Sequence, residues 1–228
     1  MDLILSFSTV WLVALLALFV TKYGSHLHKN EYRYYTVFTI LTAGATVFSL
    51  LAQFNLLDVP RTPVLYNLIW QGHLTLALYI LVMYAGAFKK KSKPKIILMR
   101  VRRELAILGF LTLIPHATLL IVTALSALNP TGTLALLIMI PLFITSFPRI
   151  RKKMHPLTWR KLHHWAYAAY AMIFLHLVTI TTIAQRTSET NGYNQYWWLR
   201  LTLYTLIFAV YSVLKYQNYL RKPTPTTA

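Results

Sequence analysis

Long apolar stretches alternate with short polar segments along most of the chain. Seven of them approach the length of about 20 residues that crosses a bilayer as a helix. They cover residues 3–20, 34–57, 64–88, 105–128, 133–147, 162–183 and 198–214. The fifth is short, lies between two prolines and is interrupted by Pro141. This pattern predicts an all-α, polytopic transmembrane helix bundle of about seven spans.

The distribution of the charged residues predicts how the helices are oriented in the membrane. The chain is 57% hydrophobic, only 12% charged, and carries a formal charge of +18. With seven spans, 20 of the 23 lysines and arginines fall in loops on one side of the membrane. Because basic loops stay in the cytoplasm, we expect the N-terminus outside and the C-terminus inside. The basic loops then reflect topology and contact with membrane lipids, and no nucleic-acid partner is expected.

The boundaries of the spans suggest three parts. Residues 1–57 hold two N-terminal transmembrane helices, residues 64–218 form the core, and residues 219–228 are expected to be a disordered cytoplasmic tail. The chain has no cysteine, which excludes iron–sulfur clusters, c-type haem attachment and thiolate zinc sites. It also has no Gly-rich dinucleotide motif, so an electron donor would have to be quinol or a separate flavoprotein.

Histidines supply the polar chemistry of the apolar stretches. All five acidic residues fall near span ends or in loops, which weakens proton-coupled transport and intramembrane hydrolysis. Three of the eight histidines fall in loops, namely His26, His28 and His155. Five others lie within the spans or at their ends, namely His73, His116, His163, His164 and His176. Imidazoles without thiolates or carboxylates favour haem iron over zinc or non-haem iron.

Helix geometry supports one histidine pair. From the basic side, His116 is about 16 Å into the fourth span and His176 about 21 Å into the sixth. Both imidazoles therefore reach a comparable depth in the outer half and can ligate one iron from opposite faces. His163 starts the sixth span, about 20 Å before His176, which suits a second haem in the inner half. On an ideal helix these two side chains point about 140° apart, so a bend or an off-axis ligand is needed.

Two motifs resemble a known family. The fourth span reads RR-x-L-x-x-x-G…H from Arg102 to His116, and TS…W-x-x-LH-x-x-x-Y…H runs from Thr145 to His176. This combination resembles the ferric reductase-like transmembrane domain, which includes the membrane cores of ferric reductases and NADPH oxidases. Within it, the chain looks most similar to the haem-binding membrane subunit of the bacterial methionine sulfoxide reductase system. The resemblance covers roughly residues 64–214.

The resemblance implies a b-type cytochrome in a bacterial plasma membrane, the electron-transfer component of an oxidoreductase. His116 and His176 would bind an outer haem b, and His163 an inner one, so that one or two haems are expected. The family's second inner histidine is replaced here by Arg102 or Arg103. Electrons would pass from a cytoplasmic-side quinol or flavoprotein to an extracytoplasmic acceptor or partner reductase. A partner would supply or share any flavin or quinone.

Several alternatives stay open from the sequence. His73 can be another ligand or, as we favour, a hydrogen-bonded structural residue, and His164 can replace His163 as ligand. Arg102 and Arg103, like Arg160 and Lys161, suit either haem propionates or plain interface anchoring. The alternative function is a non-redox permease, channel or assembly scaffold, motivated by the proline-interrupted fifth span.

Overall fold

The computed structural model describes residues 8–56, 71–123, 129–191 and 197–221, and within them the secondary structure is helical, with no strand. The prediction of an all-α protein is therefore confirmed for these residues. The helices, in chain order, are α1 Ser8–Lys29, α2 Glu31–Gln53, α3 His73–Ala85, α4 Lys93–Thr123, α5 Pro130–Ile144, α6 Pro148–Arg151, α7 Pro156–His164, α8 Ala166–Asn191 and α9 Trp197–Leu220.

Four helical segments are long and apolar enough to cross a membrane: Ser8–Lys29, Glu31–Ala52, Pro156–Ile183 and Trp197–Leu220. Their apolar side chains are largely on the outside of the bundle, as with Leu18 at 68% and Leu206 at 58% exposed. A soluble protein would bury such faces, so these helices suggest a membrane protein. Two shorter apolar helices, α3 and α5, correspond to parts of the third and fifth predicted spans.

Parts of several predicted features lie outside the described residues. They include the first residues of the first span, residues 64–70 of the third, residues 124–128 of the fourth, and residues 222–228 of the predicted tail. The fifth predicted stretch forms one helix that continues through Pro141 and ends at Ile144. The interruption expected at Pro141 is therefore not observed.

Two groups of helices share the core. One cluster joins α1, α2, α3 and α4, with Val20, Leu27, Leu81 and Leu105 at its centre. Another joins α4, α5 and α8, where Phe110 stacks on Phe143 with ring centres 4.2 Å apart. Contacts of α9 with α3 and α8 complete the bundle. This packing brings α4 and α8, which carry the predicted ligands His116 and His176, together around α5.

Local capping explains where two of these helices begin. Asn129 precedes α5, and its side chain accepts a hydrogen bond from the Thr131 amide at 3.0 Å, with Pro130 in the first turn. His155 serves α7 in the same way by accepting from the Leu157 amide at 3.3 Å, and Pro156 follows it. Both arrangements are typical of helix N-termini, where a side-chain acceptor and a proline satisfy or remove free amides.

Candidate histidine site

The imidazoles of His116 and His176 lie next to each other. His116 comes from α4 and His176 from α8, and their ring centres are 6.4 Å apart with an angle of 78° between the ring planes. Both side chains are partly buried. Two residues 60 positions apart are thus brought together by the packing of helices, as their comparable predicted depths allow.

Small and irregular backbone positions surround this histidine pair. Pro115 precedes His116 inside α4 and cannot donate a helical hydrogen bond to the carbonyl of Leu111. At Gly132 of α5, an added Cβ would lie 2.6 Å from Nδ1 of His176, which is closer than real side chains approach. At Gly72, where φ is +70°, the corresponding distance to the His116 ring is 3.5 Å. Glycine therefore lets two backbone segments approach the imidazoles.

The separation of the two rings matches the spacing that two imidazole ligands of one haem iron, as the resemblance implies, would have. An imidazole nitrogen binds a metal at about 2 Å, and a five-membered ring with bonds of about 1.35 Å has a radius of about 1.1 Å. Two imidazoles on opposite sides of one metal atom therefore have centres about 6.3 Å apart. The observed separation is 6.4 Å. In addition, the buried Nδ1 of His176 has no hydrogen-bond partner among the described residues.

His73 is close to this site but is engaged in hydrogen bonds. Its Nδ1 lies 2.7 Å from Thr9 Oγ1, and its Nε2 lies 3.0 Å from Gln71 Oε1. Because Gln71 Oε1 can only accept, Nε2 carries the proton and Nδ1 accepts from the hydroxyl of Thr9. Both ring nitrogens are therefore occupied, which matches the structural role favoured for His73.

His163 lies in a separate environment at the end of α7. Its Nε2 is 3.2 Å from Thr145 Oγ1, and its ring packs on Trp159 with centres 4.1 Å apart. Thr145 Oγ1 already donates to the Pro141 carbonyl at 2.7 Å, so Nε2 of His163 is the donor to Thr145. The helix is interrupted at Trp165 between α7 and α8, where its amide bonds three residues back to Leu162. Such a tightened turn alters the ideal angular offset between His163 and His176.

The two neighbouring arginines of α4 have different surroundings. Arg102 lies near Tyr170, and its positive charge acts on His163. Arg103 donates to Glu31 of α2 and, at 2.7 Å, to Glu104 Oε1. Of the two, Arg102 is therefore the residue that lies beside the predicted inner histidine.

Sequence reasoning missed a buried polar network at this end of α4. Glu104 is fully buried, and its Oε1 also accepts from Nδ1 of His28 at 2.9 Å. The potential ligand atoms of His28, Glu31 and Glu104 all lie within 4.8 Å of one another. The guanidinium of Arg103 already supplies the positive charge between the two carboxylates. A signal was present in the sequence, since Glu104 is the only acidic residue between Asp58 and Glu189.

The remaining histidines have local roles. His26 and His28, expected in a loop, lie in the last turn of α1, where Nδ1 of His26 is 3.0 Å from the Tyr34 hydroxyl. His155 caps α7, as described above. His164 is exposed, and its Nδ1 donates to the Arg160 carbonyl at 2.6 Å.

No protein-family model, curated protein or solved structure matches this chain.

Proposed function

We propose that this protein is a b-type cytochrome that carries electrons across the plasma membrane of a bacterium. The observation that carries the proposal is the spacing of 6.4 Å between the ring centres of His116 and His176. The resemblance to ferric reductase-like transmembrane domains, drawn from motifs in α4 and α7–α8, supports it further. Haem iron, when bound, supplies reversible one-electron chemistry.

The residues of the chain have distinct tasks in this proposal. His116 and His176 would hold the outer haem, and Gly132 leaves room for the ring of His176. His163 would hold an inner haem through Nδ1, because its Nε2 donates to Thr145. Arg102 provides positive charge on the same side, where propionates need a partner. The donor is quinol or a separate flavoprotein, and the acceptor is an extracytoplasmic reductase or other acceptor.

Haem analysis of the purified protein tests the function. We expect a Soret band and a pyridine haemochrome spectrum of haem b, with one or two haems per chain. The reduced protein should then pass electrons to an acceptor on the other side of a proteoliposome membrane. Protein that stays colourless after haem supplementation would refute the proposal, and solute flux through haem-free proteoliposomes would favour the permease or channel instead.

The proposed topology has seven spans, the N-terminus outside and the C-terminus inside. Since the chain lacks cysteine, each introduced thiol is unique. We expect Lys153→Cys to react with an impermeant maleimide only in permeabilised cells, and Trp198→Cys to react in intact cells. The opposite labelling pattern would show that the protein has the reverse orientation. Labelling of both residues from the same side would contradict the proposed topology, which places them on opposite sides of the membrane. This experiment is independent of haem binding.

A further inference from the structure

A basic cavity of about 790 Å³ opens where α3, α4, α8 and α9 meet near the start of α4. Its cationic lining residues are Lys89, Lys90, Lys95, Lys215 and Arg221. Its volume is in the range of cavities that bind small molecules. None of its lining residues is acidic. The two acidic side chains that the structure describes, Glu31 and Glu104, are both engaged with Arg103 elsewhere.

The cations in this cavity are held close to one another. Lys95 donates to the Phe88 carbonyl at 3.0 Å, and Nζ of Lys215 lies 5.0 Å from the ring centre of Tyr167. Partial burial, together with the charges of Lys215, Arg102 and Lys90, lowers the pKa of Lys95. Mutual repulsion of like charges is unfavourable unless an anion compensates it. The cavity is thus suited to an anionic group.

An apolar groove of about 500 Å³ lies beside the basic cavity, between α1, α3, α4 and α9. Its walls are mostly aliphatic and aromatic, as with Val13, Leu81 and Leu203, and Thr21 and Lys93 also line it. Such a groove offers contact to a hydrocarbon chain, whereas the cavity offers contact to a charged head.

One stripe of α9 connects the groove with the cavity. Leu203 and Ile207 line the groove, and Tyr211, Lys215 and Tyr219 follow at successive four-residue steps in the cavity. Successive residues of this stripe differ by about 40° around the helix axis, so the stripe winds around α9 as it passes from the groove to the cavity. Tyr84 marks the boundary, since its hydroxyl donates to the Ile207 carbonyl at 2.7 Å and its ring packs on Tyr211 with centres 6.0 Å apart. The chain therefore presents apolar and cationic surfaces in the order that an amphipathic anion requires.

We propose that this cavity and groove form a specific binding site for an anionic phospholipid, with the phosphate headgroup among the lysines and an acyl chain along the groove. The site differs from the diffuse attraction of basic loops to anionic headgroups, because Lys95 and Lys215 are partly buried and α9 aligns both halves. It does not depend on haem and stands apart from the proposed electron transfer.

Native mass spectrometry of the full chain in mild detergent tests the site. Delipidated protein is titrated with phosphatidylglycerol and with phosphatidylcholine of the same acyl chains. We expect tighter binding of phosphatidylglycerol, weakened about 25-fold by the double variant Lys95→Gln/Lys215→Gln, on a basis of about fivefold per lysine. The matched control is Lys152→Gln/Lys153→Gln, which removes two exposed lysines outside the cavity and should leave binding unchanged.

Two further measurements separate the possible ligands. Leu203→Trp fills the groove without changing charge and should weaken phosphatidylglycerol binding, while inorganic phosphate at the same concentration should not displace the lipid. Equal binding of both lipids, or equal loss in the cavity and control variants, would overturn the proposal. Full displacement by phosphate with no effect of Leu203→Trp would overturn it in favour of a soluble phosphate ligand. The single lysine variants are measured as well, so that misfolding of the double variant does not decide the outcome.

Discussion

The polar network of Arg103 and the histidine pair of α4 and α8 are both partly buried, yet they differ in how their polar groups are partnered. In the network, Arg103 bridges Glu31 and Glu104, and His28 donates to the same buried carboxylate. In the pair, His116 and His176 place their rings 6.4 Å apart, and Nδ1 of His176 has no hydrogen-bond partner among the described residues.

This difference separates a structural cluster from a candidate binding site. The charged groups of the network pair with each other and tie α1, α2 and α4 together, although Nε of Arg103 and Oε2 of Glu104 are also buried without a hydrogen-bond partner among the described residues. The two imidazoles bring no opposite charges together, and in the proposed function the ligand that they share is haem iron. The residues of the network should therefore affect stability, and those of the pair should affect haem content.

The largest expected effect is the loss of a haem. His116→Ala and His176→Ala should each remove one haem per chain, because the outer iron loses an axial ligand. His163→Ala should affect only an inner haem, and His155→Ala, which alters a helix cap, should retain all haem. The pyridine haemochrome assay and redox titration measure these differences. Identical spectra for the three ligand variants would contradict the assignment.

Loss of the buried carboxylate should be the largest change in stability. Glu104→Gln removes the buried charge that pairs with His28 and Arg103, of which Arg103 keeps Glu31 as a partner, and the expected cost is about 3 kcal/mol of unfolding free energy. Denaturant titration in detergent measures it, with haem content per folded chain unchanged. Arg100→Gln, at an exposed arginine that bonds Ser25, is the control and should cost less than about 0.5 kcal/mol. Equal effects of both variants would show that the buried network adds no stability.

Adding a methyl group beside the histidine pair should destabilise the protein less than Glu104→Gln does, but it should also lower the haem content. Gly132→Ala places a Cβ against Nδ1 of His176 and should cost about 1–3 kcal/mol through overpacking. It should also lower the haem-to-protein ratio. Gly44→Ala is a matched control, because nothing lies within 4 Å of its added Cβ. Gly44→Ala should raise the free energy of unfolding by up to about 1 kcal/mol through helix propensity. Normal haem loading in Gly132→Ala would argue against a role for the close approach of Gly132 to His176.

The smallest effect is expected at the hydroxyl beside His163. Thr145→Val removes the acceptor of the His163 Nε2 proton and should cost about 1 kcal/mol. It should also shift the reduction potential of an inner haem while leaving the outer one unchanged. The control is Thr179→Val on α8, which removes an exposed hydrogen bond from the threonine hydroxyl to the Leu175 carbonyl. An unchanged potential in Thr145→Val would separate Thr145 from the inner haem.

Hydrophobic pattern alone predicted the helical character of this protein and the neighbourhood of its main histidines. The all-α prediction is confirmed for the described residues, and four segments are long and apolar enough to span a membrane. Counting residues along two helices predicted comparable depths for His116 and His176, and their rings are neighbours. Regular helices make such counting reliable, because each residue advances the chain by about 1.5 Å.

The partners of individual polar side chains could not be predicted in this way. Periodicity gave no reason to bring Thr9 and Gln71 to His73, or to distinguish Arg102 from Arg103. These contacts depend on the rotation and tilt of each helix about its axis, which hydrophobic faces leave poorly defined when most of a helix is apolar. His26 and His28 were predicted in a loop but lie in α1, because this helix continues past its apolar stretch to Lys29.

The sequence by itself determined that the chain forms apolar helices, that its positive charge gathers between the apolar stretches, and that five of its eight histidines fall within those stretches or at their ends. These properties follow from residue type and order, because hydrophobicity and helical rise act locally. Only the tertiary structure decided which histidines meet, that Glu104 is fully buried, and that one stripe of α9 joins a basic cavity to an apolar groove. Those features arise from the packing of helices that are distant in the chain, where small rotations choose the partners.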